Sequence, residues 1–152
     1  MKTMQQWFTD YAVSHQNTTN KKIHYICVPV IFFSIIGLIM SIPNKILMQL
    51  TGLNNPLVIN WAVLISIPVL IFYIRLSFKV FIQMALFTIV CILGNYFLSA
   101  KINLLLFSII LFVIAWIGQF YGHHIEGKKP SFIKDLQFLL IGPAWVFTKI
   151  FP

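Results

Sequence analysis

Four long apolar stretches, set apart by short polar breaks, constrain this 152-residue chain more than any other feature. They run from about Ile26 to Ile42, Leu57 to Ile74, Val80 to Leu98 and Ile102 to Tyr121. Each is about long enough to cross a bilayer, which takes roughly 17–25 residues. In lipid no backbone amide can go unpaired, so each stretch is predicted to be a helix despite its many β-branched residues. Pro68 is expected to kink the second. Composition agrees: 59% of residues are hydrophobic and only 9% are charged, against about 25% charged in soluble domains. That balance excludes disorder and a soluble nucleic-acid-binding domain, even though the net charge is +8. The basic residues punctuate apolar runs and form no stripe.

Sorting those charges by side predicts an orientation. With four spans, Lys2, Lys21, Lys22, Arg75, Lys79, Lys128, Lys129, Lys134 and Lys149 share the face of both termini. Only Lys45 and Lys101 fall on the other. The positive-inside rule then places both termini in the cytoplasm, in a bacterial inner membrane or, in a eukaryote, the endoplasmic reticulum. Met1 to Asn20 lacks an apolar signal core, so the first span is expected to direct insertion itself. Cys27 and Cys91 lie in apolar runs without metal-type spacing and are expected to be reduced, packed thiols. The predicted fold is all-α: one domain over 1–152, an integral-membrane four-helix bundle with short interfacial helices at its N- and C-terminal ends.

Those end helices are read from about 3–13 and 131–151. Met4, Trp7, Phe8 and Tyr11 recur at helical spacing, which predicts an amphipathic helix with its aromatics toward lipid. Ser14 to Asn20 is rich in turn and cap formers, and Asn20 or Thr19 is expected to cap the first span. Gly127 should end the fourth helix, and Ser131 should cap a further one. Gly142-Pro143 should break that last helix before an apolar tail.

An even number of spans brings all four histidines to one face. His15 and His24 precede the first span, and His123 and His124 follow the fourth. The turn formers between His15 and His24 let the chain fold back so that both imidazoles converge. His123 and Glu126 are three apart and share a helix face, whereas His124 points about 100° away. Glu126 is one of three acids in the chain, with Asp10 and Asp135. The set His15, His24, His123 and Glu126 is therefore a candidate metal site, with His124 a weaker member. Nitrogen and carboxylate donors suit Fe(II), Zn or Mn, and open positions suit non-haem iron chemistry. Alternatives at this level are a haem-binding bundle, a zinc hydrolase, or a non-catalytic protein whose histidines contact lipid headgroups or a partner.

Two blocks carry a resemblance. One is His15-x4-Asn20-x3-His24 within Ser14 to His24, followed by Val28-Pro29. The other is Gln119-x2-Gly122-His123, followed by Glu126-Gly127-Lys128-Lys129-Pro130 and, further on, Gly142-Pro143. Together they resemble the 2-hydroxy fatty acid dioxygenase family of fungal endoplasmic-reticulum enzymes and bacterial membrane proteins. The resemblance implies Fe(II) held by His15, His24 and His123, with 2-hydroxy fatty acid, molecular oxygen and membrane lipids as partners and no nucleic acid. The implied reaction shortens the acid by one carbon, as in fatty-acid α-oxidation. On that basis Asn17, Asn20 and Gln119 are candidates to orient the imidazoles. Lys128 and Lys129, with Lys21 or Lys22, are candidates to attract the carboxylate.

Overall fold

The computed structural model describes residues 2–13, 15–127 and 132–150, the side chains of 132–137 excepted. Among these residues the chain forms seven α-helices and no strand. They are α1 (Met4–Ala12), α2 (Thr18–Met40), α3 (Lys45–Thr51), α4 (Trp61–Leu76), α5 (Phe78–Ser99), α6 (Leu104–Glu126) and α7 (Phe132–Ile150).

Of the helices, α2, α5 and α6 are long and apolar enough to cross a membrane. The second apolar stretch yields a shorter helix, 16 residues long. Its first residues, Leu57 to Asn60, form a turn instead, because Asn60 closes it. The Asn60 amide donates to the carbonyls of Pro56 and Leu57, and its Oδ1 accepts from the Val63 amide. Pro68 lies within α4 and Pro29 within α2. Outward faces are studded with Leu86, Val90, Phe97, Leu106, Ile110 and Ile114, all exposed. Such surfaces are tolerable only against hydrocarbon.

The α2–α6 seam organises the molecule. The two helices are antiparallel: Asn20 lies against Gly122, Cys27 against Gly118, and Gly37 against Ser108. Small residues at these crossings let the backbones approach closely, and Gly118-x3-Gly122 has the spacing that favours it. A Cβ on Gly118 would sit 2.7 Å from the Cys27 sulfur. Around this pair, α5 and α4 pack on α2, and α7 packs against α1, α2 and α5. Both cysteines are free thiols.

Three local expectations are corrected. The cap of α2 is Asn17, whose Oδ1 accepts from the amides of Thr19 and Asn20, so neither Thr19 nor Asn20 plays that part. The aromatics of α1 turn inward: Phe8 packs on the core, while Trp7 and Tyr11 pack with Ile141 and Trp145 of α7. An apolar stripe does not distinguish a lipid neighbour from a protein one. Finally, α7 continues through Gly142-Pro143. Pro143 supplies no amide hydrogen and disturbs the carbonyls one turn back. The carbonyl that loses its helical donor is that of Leu139; the next one, of Leu140, accepts from the buried Tyr73 hydroxyl at 2.6 Å, which ties the proline-bearing turn of α7 to α4. The predicted Ser131 cap lies outside the described residues. Gly127 does end α6, with φ at 70° and its amide on the His124 carbonyl.

Candidate metal centre

Three segments of the chain deliver one imidazole each. His15 comes from the turn between α1 and α2, His24 from the second turn of α2, and His123 from the last turn of α6. All three are buried, at 2%, 1% and 6% exposure. Their ring centroids are 4.2 Å apart for His15 and His24, 5.0 Å for His24 and His123, and 5.4 Å for His15 and His123. One nitrogen from each lies within 4.8 Å of the others.

The local structure explains how His15 gets there. Its Nδ1 is 2.6 Å from the Tyr11 carbonyl, one helical turn back. A carbonyl only accepts, so Nδ1 carries the proton and Nε2 keeps the lone pair, the form in which a histidine binds metal. The ring stacks on Tyr11 with centroids 4.1 Å apart and planes 11° from parallel. Trp145 of α7 packs beside both rings, 5.2 Å from Tyr11 and 5.9 Å from His15. The Nδ1 of His24 is buried and has no hydrogen-bond partner among the described residues. Burying such a group without a partner is costly, and a bound cation is one way to satisfy it.

Glu126 stands outside this group of donors. Its Oε1 accepts from the Gln16 amide at 2.8 Å, and its Oε2 accepts from the Asn17 amide and the Asn20 side chain, both at 2.9 Å. The carboxylate expected as a ligand therefore ties the α1–α2 turn to the end of α6. It holds His15 opposite His123 without joining them. Asn17 and Asn20 belong to the same clamp. His124 is exposed and points away. Gln119 is buried and lines the cavity beside His24 and His123. Lys128 and Lys129 lie outside the described residues.

The cavity is small, about 40 Å³ in volume, and lined by the three histidines with Tyr11, Val28, Ile31, Phe32, Trp116, Gln119 and Phe138 among others. That is room for an ion and a few small molecules. Sequence reasoning missed Tyr11, Trp116 and Trp145. Tyr11 and Trp116 had local signals, four residues before His15 and seven before His123 at helical spacing; Trp145 had none.

The donor set suits a first-row transition metal: three imidazole nitrogens and no thiolate, in a pocket with largely apolar walls. No curated protein and no solved structure matches the chain. A family model described as 2-hydroxy-palmitic acid dioxygenase Mpo1-like matches residues 1–151, and with nearly the whole length covered the chain belongs to that family.

Proposed function

We propose that the protein is a membrane-embedded Fe(II)-dependent dioxygenase that removes one carbon from 2-hydroxy fatty acids. The observation that carries this reading is the buried three-histidine cluster in a chain of that family. One dioxygen per acid balances the products: the acid one carbon shorter, carbon dioxide and water. The bond between C1 and C2 breaks, and C1 leaves as carbon dioxide. We place both termini and the metal centre on the cytoplasmic side, as the distribution of lysines and arginine favours.

His15, His24 and His123 would hold the iron, which when bound supplies coordination positions for a 2-hydroxy carboxylate and oxygen and the electrons for oxygen chemistry. The chain's own residues do the rest. The Tyr11 carbonyl keeps the proton on His15 Nδ1 and so fixes the ring's orientation. Glu126 fastens the turn that carries His15. Val28, Ile31, Phe32 and Phe138 exclude water from the reacting atoms.

Elemental analysis of the purified protein, followed by oxygen uptake with 2-hydroxyhexadecanoic acid and ascorbate, tests the proposal. Stoichiometric iron and a product shortened by one carbon are expected. Absence of metal, or no oxygen uptake across several chain lengths, would refute it.

A further inference from the structure

The histidine pocket adjoins a second, wholly apolar space across a shared wall. On α2, His24, Val28 and Ile31 line the pocket, and the same face runs on through Ile35 to Leu38 at spacings of four, three, four and three residues. On α6 the sequence runs the other way: His123, Gln119 and Trp116 line the pocket, and Phe112 follows four residues on. Beyond the pocket, Ile35, Leu38, Phe112 and Val113 bound a groove of about 540 Å³ that exposes no polar atom. Trp116 and Leu139 face both spaces and form their common wall. A second apolar groove of about 360 Å³, between α4 and α5, shares no wall with the histidines. The wall it shares with the metal centre therefore distinguishes the α2–α6 groove from the α4–α5 one.

We infer that this groove binds the alkyl chain of the 2-hydroxy acid, with Trp116 as the residue past which the chain runs from the pocket. The inference rests on the dioxygenase reading and adds the site that selects chain length. From His24 to Leu38 is fourteen residues along one helix, about 21 Å, which is the span of a long acyl chain. A short acid would end near Ile31, roughly 10 Å along, without entering the groove. The pocket alone is too small for a headgroup and a chain together, so part of its wall must yield when substrate enters. Trp116 and Leu139 are the parts of that wall with apolar space behind them.

Photo-crosslinking of the full-length protein in nanodiscs tests this, with 2-hydroxyhexadecanoic acid carrying a diazirine near its chain end as the probe. Label at Ile35, Leu38, Phe112 or Val113 is expected, lost in excess unlabelled 2-hydroxyhexadecanoic acid. Label at Ile89 or Leu93 of the α4–α5 groove should not be competed. In parallel, Ile35→Trp and Leu38→Trp fill the far end. They should lower the ratio of kcat/KM for 2-hydroxyhexadecanoic over 2-hydroxyoctanoic acid by about tenfold or more. Uncompeted label in the α2–α6 groove, or an unchanged ratio in folded variants, would overturn the inference and leave a lipid-contact surface. If the wild type consumes no 2-hydroxy acid, the dioxygenase reading fails. The competed label then decides the groove by itself: present, it sustains the alkyl site; absent, it removes it.

Discussion

Replacing Glu126 separates a clamp from a ligand. Glu126→Gln keeps the side chain's size but loses the charge and one acceptor, so part of the three-bond hold on Gln16, Asn17 and Asn20 goes. A hydrogen bond to a charged group contributes about 1.5–3 kcal/mol. Glu126 is only partly buried, and solvent screening brings that to about 1 kcal/mol per bond. The substitution should then cost about 2 kcal/mol, felt in the turn that carries His15. Since His15 must be in place for metal to bind, affinity should fall by about 30-fold, within the range seen when residues supporting a metal ligand are lost. The assay is Co(II) titration of the detergent-solubilised protein, followed by visible absorption. Band positions should match wild type, because the three imidazoles still form the ligand set, while the midpoint moves to higher metal concentration. Shifted bands or abolished binding would mean that the carboxylate ligates the metal. An affinity within about threefold of wild type would mean that the clamp does not hold His15.

Single changes His15→Ala, His24→Ala and His123→Ala should each remove the metal from purified protein by elemental analysis, whereas His124→Ala should retain it, since His124 is exposed and outside the cluster. Gly118→Ala places a methyl 2.7 Å from the Cys27 sulfur and should cost about 1–3 kcal/mol. The exposed Ile117→Ala should stay within about 0.5 kcal/mol, with thermal unfolding in one detergent as the comparison. Tyr73→Phe removes the donor to the Leu140 carbonyl beside Pro143 and should destabilise by about 1–3 kcal/mol, with the loss concentrated in hydrogen-exchange protection of α7. Tyr11→Ala should weaken metal binding more than Tyr11→Phe, because only the first loses the ring stacked on His15; equal effects in the metal titration would discount the stack.

Helices and histidines were readable for a common reason: their signals are local or depend on counting. An apolar run must be helical in lipid whatever its neighbours. The Gly118-x3-Gly122 spacing was equally visible in the sequence, and it marks the seam on which His24 and His123 face each other. What escaped reading depends on partners far along the chain. Pro143 looked like a helix end because the contacts that hold α7 there are remote: the Tyr73 hydroxyl on the Leu140 carbonyl comes from 67 residues upstream. The N-terminal aromatics looked lipid-facing because nothing in α1 reveals that α7 will cover them. Glu126 is the most instructive of these. Its place three residues after His123 puts both on one helix face, but that spacing does not say which groups a carboxylate bonds. Two backbone amides and the Asn20 amide, all more than a hundred residues earlier, reach it first. The shortage of acids in the chain follows the same logic. A carboxylate at the end of an apolar helix is held where several donors surround it, and the exposed amides of the α1–α2 turn, together with Asn20, supply them. The acid and the turn therefore satisfy each other, and their pairing is what closes a three-histidine site from segments that are otherwise separate.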